Sequence, residues 1–165
     1  MSVVGSKIAP CLWFDTQGED AARFYVSIFK NSKILRISRY NKEGHDIHKR
    51  PAGMVMVVEF ELDGQRFLAL NGGPQFKFSE AVSLSVSCAD QAEVDYYWSK
   101  LTAGGGQEGP CGWLKDKFGL SWQIVPDVVP DMLMDDKSDK AQRVTKAFMQ
   151  MKKLDIAKLE QAYAG

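Results

Sequence analysis

The sequence predicts an α+β protein made of two βαβββ modules followed by a helical tail. Three observations predict it. First, the chain repeats itself. Trp13-Phe14-Asp15, with a helical run ending Arg23-Phe24-Tyr25-Val26-Ser27-Ile28-Phe29, is echoed by Val86-Ser87-Cys88 and Asp95-Tyr96-Tyr97-Trp98-Ser99-Lys100-Leu101. In both copies an alternating strand passes through an acidic, Ala-containing stretch into an amphipathic helix with an aromatic pair near its end. Second, each copy continues into a hairpin signal between apolar segments: Asp63-Gly64 in the first, Asp116-Lys117-Phe118-Gly119 in the second. Third, 165 residues suit one ordinary domain or two small pseudo-repeats sharing a core. Repeats of this kind imply modules that pair and form a curved sheet around a cavity.

The elements follow in order. Lys7 to Phe14 reads as a first strand, with Pro10 limiting its ladder donors. Asp15-Thr16 supplies an N-cap, and Ala21, Ala22, Phe24, Tyr25, Ile28 and Phe29 make an apolar stripe at helical spacing. Lys33 to Tyr40 alternates as a second strand. Asn41 to Gly53 is polar, lacks a period and holds both histidines. Met54 to Leu62 and Arg66 to Leu70 flank Asp63-Gly64, and Asn71-Gly72-Gly73-Pro74 breaks the sheet. Val82, Leu84 and Val86 then alternate with Ser83, Ser85 and Ser87. Ala89-Asp90 opens a helix that buries Val94, Tyr97, Trp98 and Leu101, and Gly104-Gly105-Gly106 ends it. Short strands follow near Trp113 to Lys115 and Leu120 to Val125. Pro126 and Pro130 bracket the exit from the core. Ser138 caps a helix through about Lys152, with Ala141, Val144, Phe148 and Met151 apolar. A shorter helix over Asp155 to Ala164 closes the chain. The organisation is a single domain over 1–165: module one about 7–73, module two about 80–126, tail about 127–165.

Composition narrows the partners. Lys+Arg and Asp+Glu both number 21, so the formal net charge is zero and there is no electrostatic footprint for nucleic acid or an anionic membrane. Cys11, Cys88 and Cys111 are odd in number and widely spaced, which fits reduced thiols in a reducing compartment. No signal peptide and no bilayer-length apolar run is seen. The expected location is the cytoplasm.

Cys111-Gly112-Trp113-Leu114-Lys115-Asp116-Lys117-Phe118-Gly119-Leu120-Ser121-Trp122-Gln123-Ile124-Val125-Pro126 is a specific segment. With Leu12-Trp13-Phe14-Asp15, Leu70-Asn71-Gly72-Gly73-Pro74 and Met151-Lys152-Lys153-Leu154-Asp155, it resembles the demethylubiquinone methyltransferase-like (PhnB-like) family. That family belongs to the glyoxalase/bleomycin-resistance/extradiol-dioxygenase (vicinal oxygen chelate) superfamily. The resemblance covers nearly the whole chain. It implies a glyoxalase-like cupped mixed sheet, a cleft in each sheet and frequent homodimers. The dimer is expected through the module edges or the C-terminal helices.

In metal-using members of the superfamily, the resemblance implies His or Glu pointing inward from the first and last strand of each module. Those positions fall near Pro10, near Ala69 or Asn71, near Ala81 to Ser83, and on Gln123. Amide carbonyls are weak ligands for zinc, so no metal site and no cofactor are expected. A Gly-rich cradle for an adenosyl methyl donor sits between a strand and a helix. Gly104-Gly105-Gly106 instead follows a helix, and no doubly wound alternation surrounds it.

The candidate ligand-binding residues are Trp13, Asn71, Ser83, Trp113 and Gln123, a set of aromatics, amides and a hydroxyl suited to a planar or apolar small molecule. Alternation requires Trp122 and Gln123 to face opposite sides of their strand. Gln123 is assigned to the cleft and Trp122 to the helix side. His45 and His48 read as a solvated loop or as a lid at the pocket mouth. Cys111 reads as an inert, partly buried thiol, and Asp116 as a residue shaping its hairpin. The serines lack a base in any triad arrangement. The expected function is small-molecule binding, with a lyase- or dioxygenase-type enzyme as the alternative and methyl transfer last.

Overall fold

The internal repeat is realised as two four-stranded mixed sheets of the same topology. The computed structural model describes residues 6–165. The first sheet comprises β1 (Cys11–Phe14), β2 (Lys33–Arg39), β3 (Val55–Leu62) and β4 (Gln65–Asn71) in the order β1-β4-β3-β2. The second comprises β5 (Ser83–Cys88), β6 (Gln107–Glu108), β7 (Trp113–Lys115) and β8 (Ser121–Pro126) in the order β5-β8-β7-β6. In each, the first strand runs parallel to the last and the other pairs are antiparallel. A parallel pair needs a crossover with a helix in it. Helices α1 (Gly18–Ile28) and α3 (Gln91–Thr102) stand at the matching positions of the two crossovers, and a one-turn helix α2 (His45–His48) lies between β2 and β3. The fold is α+β and glyoxalase-like. Two compact units result: the first ends at Lys77, and the second begins at Phe78 and includes the tail.

Period-two alternation decides each unit's core. In the first, Leu12, Phe14, Val58, Phe60, Phe67 and Ala69 are buried together with Ala21, Ala22, Tyr25 and Ile28 of α1. Tyr25, Phe60 and Phe67 stack in succession, with centroids 6.4 and 5.6 Å apart. In the second, Cys88, Leu114, Trp122 and Ile124 are buried with Val94, Trp98 and Leu101 of α3. The turn between β3 and β4 has φ of 47° at Asp63 and 78° at Gly64, the paired left-handed geometry that a two-residue hairpin with the sheet's own twist demands.

Several expected boundaries are corrected. The first strand begins at Cys11, since the chain from Lys7 to Pro10 is not laddered, although the Pro10 carbonyl accepts from Leu68 N–H at 2.9 Å. Helix α1 starts at Gly18, and neither Asp15 nor Thr16 caps it. Its leading N–H, that of Gly18, donates instead to Asn71 Oδ1 of β4 at 2.7 Å. A Cβ on Gly18 would stand 2.7 Å from that same oxygen, so glycine is what permits the approach. The polar loop at Asn41 to Gly53 contains α2. Strand β6 was not expected: two residues carry no legible period.

The tail forms three helices, α4 (Val128–Leu133), α5 (Asp139–Phe148) and α6 (Ile156–Ala164). Helix α4 was not foreseen, because Pro126 and Pro130 read as breakers. Pro130 falls in its first turn, where a missing N–H costs nothing. Ser138 caps α5 by accepting from Ala141 N–H at 3.1 Å, and Asp155 caps α6 from Lys158 N–H at 3.1 Å. The apolar face of α5, expected to need an outside partner, is covered by the chain itself. Val144 joins Val129, Leu154 and Leu159 in one buried cluster, and Phe148 and Met151 pack against it. Among the described residues no helix is long and apolar enough to cross a membrane.

Candidate functional site

The face of the second sheet turned away from α3 carries Ser83 and Ser85 of β5, Ser121 and Gln123 of β8, Trp113 and Lys115 of β7, and Gln107 of β6. Register aligns them: Trp113 lies opposite Gln123, Lys115 opposite Ser121, and Gln107 opposite Lys115. The adjacent pair on β8 divides as alternation requires. Trp122 is 2% exposed on the helix side, and Gln123 is half-buried on the other. Gln123 Nε2 donates to Ser83 Oγ at 2.9 Å.

A cavity of about 560 Å³ opens on this unit, walled by Gln107, Cys111, Trp113, Leu114, Lys115 and Ser121, with Glu80 at its side. Its lining is mainly apolar, with a few convergent polar groups, as in sites that bind small organic molecules. Ser121 is 1% exposed, and its Oγ has no hydrogen-bond partner among the described residues. Buried hydroxyls in folded proteins are nearly always bonded. Lys115 Nζ forms an ion pair with Glu80 Oε1. The Lys115 hydrogen bond holds the Glu80 carboxyl below its ordinary value.

Backbone contacts with the tail fix the loop that carries Cys111. Cys111 N–H donates to Met151 O and Gly112 N–H to Lys152 O, both at 2.8 Å. Cys111 itself has φ of 57°. Below the loop, Asp116 is 3% exposed and fully engaged. Its Oδ1 accepts from Phe118 and Leu120 N–H at 2.8 and 3.1 Å, and its Oδ2 from Trp122 Nε1 at 2.9 Å. Asp116 thus shapes its hairpin and also ties it to the core tryptophan, which sequence spacing did not reveal. The Cys88 thiol is pushed up to about 12 by burial and by the nearby carboxylates of Glu93, Asp127 and Asp90.

Ser83, Trp113 and Gln123 therefore share one sheet face. The other expected residues lie in the first unit. Trp13 Nε1 donates to Gly73 O at 2.8 Å, and its ring meets Phe76 edge-on at 4.9 Å. Asn71 is 2% exposed on the α1 side. Its oxygen is taken by Gly18, and its Nδ2 donates to Val55 O at 3.1 Å. These two bonds tie β4 to the start of α1 and to β3. Of the histidines, His45 is exposed and His48 half-buried. His48 packs on Tyr40 with centroids 4.6 Å apart, and its Nδ1 accepts from Arg50 N–H at 2.9 Å. Sequence reasoning missed Ser121 and Lys115. Their signal was the alternation that places Ser121 two residues before Gln123, on the same face.

Two sheets of identical topology, each with its first strand against its last, define a protein of glyoxalase-like fold. The family model for 3-demethylubiquinone-9 3-methyltransferase matches residues 6–125, and the chain belongs to that family. It is similar to the PhnB protein from Bacillus cereus, at 34% identity over 73% of this chain and 99% of that one, with a TM-score of 0.63. A protein from Pseudomonas aeruginosa is 17% identical over 74% of this chain and 98% of its own, with a TM-score of 0.57. The fosfomycin resistance protein FosX from Listeria monocytogenes, complexed with Mn(II) and sulfate, is 13% identical over 80% and 98%, with a TM-score of 0.53. These last two show the fold alone. No curated protein matches the chain.

The superfamily's metal can be tested against this chain's donors. The resemblance places ligands near Pro10, near Ala69 or Asn71, near Ala81 to Ser83, and on Gln123. Pro10 has no donor atom in its side chain, the Asn71 oxygen is occupied by Gly18, and Ser83 is bonded to Gln123. Among the described residues no three His, Cys, Asp or Glu side chains are grouped to hold an ion. An amide and a hydroxyl do not fit zinc, which takes imidazole, thiolate or carboxylate, nor do they supply the carboxylates that harder ions favour.

Proposed function

We propose that the second unit binds a small organic molecule in the cavity walled by Trp113, Lys115 and Ser121. The observation that carries this reading is the unpartnered Ser121 hydroxyl. A buried oxygen without a hydrogen bond costs about 1–3 kcal/mol, and a ligand that bonds it recovers that cost. Trp113 supplies an apolar aromatic face, and the Gln123–Ser83 pair lies on the same sheet face outside the cavity's lining. Recognition needs no metal at the family positions. The family's name denotes methyl transfer, but Gly104-Gly105-Gly106 closes α3, with Gly106 N–H donating to Thr102 O at 3.0 Å. A helix stop is not a cradle for an adenosyl donor.

Calorimetric titration with 2-naphthol tests the reading. Saturable binding is expected, weakened by Ser121→Ala and by Trp113→Ala. Absence of binding up to the probe's solubility limit overturns it. The homodimer belongs to the same reading through the family resemblance, since the α5 face is already covered. Light scattering at micromolar concentration decides it. A reducing, cytoplasmic setting suits three free cysteines.

A further inference from the structure

We infer that the cavity takes a planar organic anion, and that Glu80 occupies the place of the ligand's carboxylate until the ligand arrives. The inference rests on the proposed cavity and deepens it by fixing the ligand's charge and the group that it displaces. Lys115 and Ser121 are register partners on β7 and β8, so their side chains are neighbours on one face. One offers an ammonium and the other a buried hydroxyl that no described group satisfies. Together they suit two oxygens of one carboxylate: a charge-assisted bond to Lys115 and a hydroxyl bond from Ser121. The mainly apolar wall beside Trp113 suits the flat body of the same molecule.

Glu80 already shows what Lys115 accepts. It reaches the ammonium from the connector ahead of β5, and it is the more exposed member of the pair, 63% against 36%. An exposed ion pair is weak and screened by salt. A ligand carboxylate can displace Glu80, because the ligand also buries its body and bonds Ser121, which Glu80 does not. Glu80 then acts as a tethered competitor that only a ligand carrying its own anionic group displaces, while Lys115 favours that ligand over neutral molecules of the same shape.

The test compares 2-naphthoate with its neutral isostere 2-naphthamide by isothermal titration on the full chain. The naphthoate is expected to bind about tenfold tighter than the amide. Glu80→Gln removes the competitor, so it should tighten naphthoate binding and leave the amide unchanged. Lys115→Met should bring the two probes to the same affinity. Circular dichroism confirms that the variants are folded, and both positions are solvent-accessible. Equal affinity of the two probes for the native chain, or no change in their ratio with Glu80→Gln, overturns this inference and leaves the cavity reading standing. If neither probe binds, the cavity reading fails and the inference fails with it.

Discussion

At the scale of single residues, burial separates side chains that look alike in sequence. Trp122 fills the space under α3 and donates to Asp116, whereas its neighbour Gln123 is half-buried and its side chain donates to Ser83. Trp122→Ala should cost about 3–5 kcal/mol, read from urea denaturation, and Gln123→Ala less than about 1 kcal/mol. The reverse ranking would mean that the strand register is inverted. Glu59 offers a test by pH. It is 4% exposed on β3 and bonded by both Arg66 and Arg36. Burial pushes its carboxyl up, but the two guanidiniums outweigh that and hold it below its ordinary value. A folded-state pKa below the unfolded one adds stability that is complete above the unfolded value and is lost as pH falls through the folded value. Glu59→Gln should therefore destabilise at neutral pH by about 1–3 kcal/mol. Its deficit should shrink below about pH 4; a deficit constant down to strong acid would refute the assignment. Cys88, raised to about 12, should resist alkylation in the folded protein at pH 8, as peptide mapping after iodoacetamide would show.

At the scale of elements, the two crossover helices begin in different ways. Asp90 caps α3 locally, accepting from Glu93 N–H at 2.9 Å. Helix α1 borrows its cap from Asn71, 53 residues on. Asn71→Ala should cost about 1–3 kcal/mol, since it leaves Val55 O and Gly18 N–H unmet. Hydrogen exchange should quicken at the first turn of α1 and leave α3 unchanged. This difference also marks what the sequence could disclose. Alternation and helical spacing gave the strands β2 to β5, both crossover helices and the repeat, because each is a local pattern spread over many residues. The α1 cap, the Asp116–Trp122 bond and the two-residue β6 depend on contacts between distant positions or on too few residues to show a period. The candidate site divides in the same way. Strand alternation and the family motif put Gln123, Ser83 and Trp113 on one sheet face, and of the three Trp113 lines the cavity. Asn71, placed at a ligand position by the resemblance, turns its side chain to α1, a contact between distant positions that spacing does not show.

At the scale of the whole molecule, the family match ends at residue 125, and the helices beyond it complete the second unit. Leu154 is fully buried in the tail's cluster, beside the segment that holds the Cys111 loop by two backbone bonds. Leu154→Ala should cost about 2–5 kcal/mol, and it should also weaken probe binding, because the loop walls the cavity. A loss of stability with unchanged affinity would uncouple the two. Because the family's metal positions hold unsuitable donors, chelator treatment should leave the thermal midpoint unchanged; a native-state ligand removed would lower it. The borrowed cap of α1 has a kinetic consequence for the chain. A helix whose first turn waits for a residue 53 positions away must pay loop closure before it is secured. Helix α3, with its cap alongside, can form in the transition state. Asp90→Ala should therefore slow folding in proportion to its loss of stability, whereas Asn71→Ala should chiefly speed unfolding. Two modules of one topology would then assemble in sequence, the second ahead of the first.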